Sequence, residues 1–195
     1  MTPLPFTGAG AIPFWIAFYW AFAAELPFMR RDRVGNAAST DRGSMLVVLI
    51  ANGIGTSLAF VFAGALREFT IVTGRIPLYI VGIVCILAGG LLRRHCFRML
   101  GASFTYDVRV QTSQVVVERG AYRFVRHPSY AAGLLLFGGI GVALTNWLSL
   151  VATVVPSALA YAYRISVEEH ALVATLGPAY VDYMRRTRRV IPFLL

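Results

Sequence analysis

At 195 residues, 57% hydrophobic and 14% charged, with a mean hydropathy of +0.67, the chain is too apolar for an ordinary soluble domain and reads as an integral membrane protein. Its formal net charge of +9 comes from eighteen basic residues, all Arg, which gather at the ends of apolar runs. Topology explains that placement better than nucleic acid as a partner does. Cys85 sits in an apolar run and Cys96 in a basic segment, which gives neither a disulfide framework nor a metal spacing.

The first apolar run, about Gly10 to Met29, has no basic residue ahead of it and is followed by Arg30, Arg31 and Arg33, so it reads as an anchor rather than a cleaved signal. Glu25 near its end is assigned to snorkelling or to pairing with Arg. A second span, Ser44 to Leu66, repeats Ala51, Gly55, Ala59 and Ala63 on one face, a stripe that lets another helix approach closely. The Gly53 and Gly55 pair lacks the strand and acidic residue of a nucleotide loop. Ile76 to Leu92 makes a third span and runs into Arg93, Arg94, His95 and Arg98.

A polar segment from Gly101 to Arg126 follows, with an extended Val-rich stretch over Gln114 to Val117. It stops at Pro128, whose missing N–H suits the first helical turn, with His127 at the cap. Unpaired N–H groups, the helix dipole, Arg123 and Arg126 then make a place for an anionic group, with Tyr122, His127 and Tyr130 adding rings and polar tips. The simpler alternative is an aromatic and Arg interface belt. The apolar stretch beyond Pro128 reaches Thr145, Asn146 and Trp147, where a tight hairpin turns into a return arm, Leu148 to Tyr163, ending at Arg164. Pro156 is expected to kink that arm.

Sixteen of the eighteen Arg fall in the first loop, the long polar segment and the tail, against two, Arg67 and Arg75, on the other side. That asymmetry predicts five spans with the tail and the polar segment in the cytoplasm. Arg164 and Glu168 stand one helical turn apart and share a face. Either they form a surface ion pair of small value, or they line a pocket with His127 and Tyr130, polar at its wet end and apolar behind.

The C-terminal half, Gly101 to Pro192, resembles the isoprenylcysteine carboxyl methyltransferase family of integral membrane enzymes, and the chain looks like a bacterial or archaeal-type member. The resemblance rests on Gly120 and Tyr122, Arg126-His-Pro-Ser-Tyr130, Asn146, Arg164 with Glu168 and Glu169, and the ending Leu176-Gly-Pro-Ala-Tyr180, Tyr183 and Ile191-Pro192. It implies an all-α, polytopic membrane fold of about five transmembrane helices, the last two a hairpin, with a cytosolic cofactor-binding segment and a C-terminal amphipathic helix. Residues 1–195 would form one domain, its catalytic part about 93–195, in the cell inner membrane with the site facing the cytoplasm.

The implied reaction is transfer of a methyl group from S-adenosylmethionine to a lipid-attached carboxylate such as that of a prenylcysteine-like compound. The implied cofactor contacts are Gln114, Val115, Val116, Val117, Tyr122, His127, Pro128, Ser129, Tyr130 and Glu168. Arg164 would hold the substrate carboxylate, and Arg164 with Glu168 would be the catalytic pair, without a metal. Gln114 stands where relatives commonly carry His, and it keeps the ability to donate and accept. Three other readings stay open: a phospholipid N-methyltransferase, an NADPH-dependent membrane sterol-type reductase, and a scaffold or transport protein whose charges only set topology.

Overall fold

The computed structural model describes residues 2–23, 41–101 and 116–190. Gln114, Val115, Glu25, Ile191 and Pro192 lie outside the described residues. The described chain is helical apart from turns and two isolated bridges. Its helices are α1 (Gly8–Ala23), α2 (Ser44–Ala65), α3 (Arg75–Leu100), α4 (Pro128–Ala143), α5 (Trp147–Leu176) and α6 (Pro178–Arg186), with short 3-10 turns at Leu4–Phe6, Arg67–Phe69 and Gly120–Arg123.

Three of these, α2, α3 and α5, are long and apolar enough to cross a membrane. Helices α1 and α4 are apolar but have 16 residues each. At about 1.5 Å per residue α4 covers roughly 24 Å, short of a hydrocarbon core of about 30 Å, while α1 runs to the end of its described stretch at Ala23. The apolar residues that stay exposed, such as Leu49, Ile50 and Ile54 on α2, Ile80 and Val84 on α3, and Val155 and Leu159 on α5, give the bundle an apolar outer surface suited to lipid.

Local chemistry sets the helix ends. Asp41 precedes α2 and accepts hydrogen bonds from the Met45 N–H (3.0 Å) and the Ser44 hydroxyl (2.8 Å), satisfying donors that the first turn would leave open. Asn146 starts α5: its Oδ1 accepts from the Ser149 N–H at 3.1 Å, and its amide donates to the Leu66 carbonyl at 3.0 Å, which ties the α4–α5 hairpin to the end of α2. Helix α3 absorbs part of the basic segment. Arg93 lies over the Phe97 ring at 5.0 Å and Arg94 over Trp20 at 4.3 Å, so their stems follow apolar surface.

Helix α4 packs between α3 and α5, α2 packs on α5, and α1 leans on α3. The small-residue stripe of α2 does what its spacing implies: Gly55, Ala59 and Ala63 are buried, and Ser149 of α5 donates to the Ala59 carbonyl at 2.7 Å. A second polar tie joins the Ser157 hydroxyl to Asn52 Oδ1 at 2.7 Å. The α3–α4 contact is also close, since a Cβ on Gly139 would stand 2.8 Å from both Cys85 Cβ and Ile86 N. Gly139→Val should therefore force these helices apart and lower stability by about 1–3 kcal/mol, a fall in melting temperature measurable in detergent.

One boundary differs from the sequence reading. The return arm does not end at Arg164, because α5 continues for three more turns to Leu176 and keeps Arg164, Glu168 and Glu169 on one rigid helix. Pro156 lies inside α5 without ending it. The amphipathic tail forms as α6, burying Tyr180 and Tyr183 and exposing Asp182 and Arg185.

Candidate active site

The site is built where the start of α4 meets the second half of α5. Pro128 is in the first turn of α4 and His127 is the cap residue, as its place before proline requires. The His127 side chain, however, does not cap the helix; it turns toward α5 and is 3% exposed. Its Nε2 lies 3.2 Å from Glu169 Oε1 and its Nδ1 3.8 Å from Glu168 Oε2. Facing an ionised carboxylate, Nε2 carries the hydrogen and donates.

Consecutive residues on a helix point about 100° apart, so Glu168 and Glu169 reach different partners. Glu169 is the buried hub: it accepts from Arg126 Nε at 2.6 Å, and from Arg189 NH2 at 2.7 Å and Nε at 3.1 Å. Arg126 also donates to the Thr187 carbonyl at 2.7 Å. The backbone reinforces these contacts, for Arg126 N donates to Arg188 O, His127 N to Arg189 O and Arg188 N to Phe124 O. The tail beyond α6 is thereby strapped along Phe124 to His127. This corrects one expectation. Arg126 is no free cation for an anion at the α4 N-terminus, because a buried charge needs a partner and Glu169 supplies it. Arg123 is exposed and lies against its neighbour Phe124.

Glu168 faces the other way. Its Oε2 accepts the Tyr130 hydroxyl proton at 2.8 Å, and the same hydroxyl oxygen accepts from Arg164 Nε at 2.9 Å. Tyr130 thus joins Arg164 to Glu168. The exposed ion pair considered from sequence is corrected by burial, since Arg164 is 5% exposed. Arg164 NH1 donates to Asp41 Oδ1 at 2.7 Å and to the Ser44 hydroxyl at 2.9 Å. Burial opposes ionisation of Asp41, but the Met45 N–H, the Ser44 hydroxyl and Arg164 outweigh it and hold the carboxyl below its ordinary value.

Tyr122 arrives from the other side on the 3-10 turn Gly120–Arg123. The turn depends on Gly120, which has φ +59° and packs against Met99. Tyr122 is 5% exposed, and its backbone carbonyl accepts from the Tyr183 hydroxyl at 2.7 Å, so α6 braces it. Among the described residues its own hydroxyl has no hydrogen-bond partner, although Ser129 and Glu168 lie in the same region. Burial, and then the negative groups nearby, push that hydroxyl well above its ordinary value, so it stays a neutral donor. Arg93 of α3 reaches the Ser129 carbonyl at 3.3 Å. Val116 and Val117 are half-buried in irregular backbone just before the Gly120 turn.

The fold therefore gathers Tyr122, His127, Pro128, Ser129, Tyr130, Arg164 and Glu168, while Gln114 and Val115 lie outside the described residues. Sequence reasoning missed Asp41 altogether, and it quoted Glu169 without assigning it a role. The signal for Glu169 was the scarcity of acids, nine against eighteen Arg, which makes any acid amid Arg clusters a charge partner.

The donor set fits a cofactor bearing positive charge and polar edges. A buried tyrosine hydroxyl lacks a partner among the described residues, and beside it Glu168, with its side chain 31% exposed, has one oxygen engaged by Tyr130.

Comparison with known proteins gives the following. The pattern of the family described as Phospholipid methyltransferase matches residues 77–179. The chain is 34% identical over 115 residues to Protein-S-isoprenylcysteine O-methyltransferase B of Arabidopsis thaliana, covering 58% of each chain. It is 31% identical over 136 residues to Protein-S-isoprenylcysteine O-methyltransferase of Xenopus laevis, covering 65% of this chain and 47% of that one. The chain thus spans about half the length of these relatives. A solved structure of the eukaryotic intramembrane Ras methyltransferase isoprenylcysteine carboxyl methyltransferase shares the fold, with a TM-score of 0.61 and 23% identity over 93% of this chain and 68% of that one.

Proposed function

The chain belongs to the phospholipid methyltransferase family, and from that premise we propose that it transfers a methyl group from S-adenosylmethionine to the carboxylate of a lipidic acceptor resembling a prenylated cysteine. The observation that carries this reading is the Tyr130 hydroxyl, which joins Arg164, suited to a carboxylate, to Glu168, suited to a cationic cofactor, through two hydrogen bonds on one oxygen.

Bound cofactor would supply an activated methyl group on sulfonium. The residues that would hold it are Tyr122, His127, Ser129, Tyr130 and Glu168, with Pro128 fixing the start of α4; Gln114 to Val117 extend the same reading by resemblance alone. Glu168 balances positive charge and Tyr122 donates a hydrogen bond that the described protein leaves unused. Arg164 orients the acceptor carboxylate. No proton need move, because a carboxylate is already a nucleophile, so alignment and exclusion of water carry the rate. Lipid would reach the site from the bilayer and cofactor from the cytoplasm, consistent with the Arg asymmetry.

One observation favours a second reading. Asp41 already balances Arg164, which suits a neutral amine acceptor on a phospholipid better than an unpaired Arg would.

Titration calorimetry with S-adenosylhomocysteine and with NADPH, followed by methyl transfer to a farnesylated thioether acid and to a phospholipid amine, tests these readings. Binding of the first ligand and turnover of the acid are expected. Saturable NADPH binding would indicate the reductase, turnover of the amine alone the second reading, and no saturable ligand a scaffold. Tyr122→Phe removes only the unpartnered hydroxyl, so its melting temperature should hold while S-adenosylhomocysteine affinity falls about tenfold, the loss expected for about one hydrogen bond.

A further inference from the structure

Asp41 lies ahead of the residues that the family pattern matches and in a different part of the chain from the rest of the site. It is nevertheless 6% exposed and in contact with Arg164, more than a hundred residues away in sequence. Both of its oxygens are engaged, Oδ1 by Arg164 and Ser44 and Oδ2 by the Met45 N–H, so the carboxylate is fixed to the start of α2 and cannot swing clear of the guanidinium without opening that turn. Ser44 closes the triangle by accepting from Arg164 NH1 at 2.9 Å. The Arg164 charge is therefore compensated from within the protein.

Compensation bears on esterification in a particular way. Ester formation consumes the negative charge of the acceptor carboxylate, so an uncompensated guanidinium would hold the starting carboxylate more strongly than the transition state and slow its attack. A guanidinium already balanced by a fixed carboxylate gives up most of that excess attraction, while its hydrogen bonds to Tyr130, Asp41 and Ser44 hold its plane in one orientation. Given the carboxylate acceptor proposed above, on which this rests, we infer that Asp41 is a positioning residue that both fixes the Arg164 side chain and tempers its charge, so that the acceptor carboxylate is aligned yet stays nucleophilic. The N-terminal part of the chain, through the start of α2, completes the site.

Asp41→Asn keeps the shape and removes the negative charge; its single oxygen can still accept from the Met45 N–H, while its NH2 faces Ser44, whose hydroxyl oxygen can accept, and no acceptor remains there for Arg164. Binding of a farnesylated thioether acid, and of its uncharged carboxamide, is measured by calorimetry with S-adenosylhomocysteine saturating, alongside steady-state kinetics with the acid. The variant should bind the acid about tenfold tighter, bind the carboxamide within about twofold of wild type, and show kcat about tenfold lower with a lower KM. A purely structural role for Asp41 would instead raise KM and weaken both ligands together. If wild type binds the acid and Asp41→Asn binds it no tighter, the inference is overturned and the acceptor reading stands. If wild type binds neither acid nor carboxamide, the acceptor reading falls and the inference falls with it. Should Asp41→Asn not fold, Asp41→Ser, which keeps an oxygen acceptor near the Met45 N–H, runs the same comparison.

Discussion

Arg164→Lys is expected to lower methyl transfer about 100-fold while leaving S-adenosylhomocysteine affinity within about threefold of wild type. The guanidinium uses Nε for Tyr130 and NH1 for Asp41 and Ser44, which lie on different elements. A single ammonium cannot reach both directions, so at least one charged hydrogen bond and the planar alignment of the acceptor are lost. Charged hydrogen bonds contribute about 1.5–3 kcal/mol each, and about 1.4 kcal/mol is a factor of ten in rate, which sets the expected size. Glu168→Gln is the matched comparison. It keeps the size of the side chain and one acceptor for Tyr130 but removes the charge beside Tyr122 and His127, so it should loosen the cofactor first. Calorimetry and turnover in both variants decide: loss of cofactor binding in Arg164→Lys with full binding in Glu168→Gln would reverse the two roles.

Glu169→Gln is expected to have the largest effect on stability. Its side chain is 5% exposed and answers Arg126 (10% exposed), buried His127 and the more exposed Arg189. Removing one partner of a buried ion pair costs about 3–5 kcal/mol because the remaining charge is left uncompensated, and the half-exposed Arg189 adds little to that. A loss of about 3 kcal/mol corresponds to a fall of roughly 6–12 °C in melting temperature for a chain of this size. Loosening should begin at the tail strap, so hydrogen exchange at the Arg126 and His127 amides, which donate to Arg188 and Arg189, should rise before that of the helices. A melting temperature within about 2 °C of wild type would show that Glu169 is not the hub its contacts describe.

Sequence determined whatever depends on composition and near neighbours. The apolar runs fixed the helices because a backbone in lipid must satisfy its own hydrogen bonds. Pro128 fixed the start of α4, Asn146 the hairpin, and the small-residue stripe on α2 the face that meets α5. The motif Arg126 to Tyr130 marked the joint where α4 begins, and the spacing of Arg164 and Glu168 put both on one helix face. Tertiary structure alone decided how the charges pair. Nothing in sequence says that Arg126 belongs to Glu169 rather than to a ligand, that Tyr130 stands between Arg164 and Glu168, or that Asp41 crosses from the start of α2 to Arg164. A buried charge takes whichever opposite charge the packing brings within hydrogen-bond reach. Helix packing brings together groups more than a hundred residues apart, so local periodicity could place each of these side chains on a helix face but could not choose its partner.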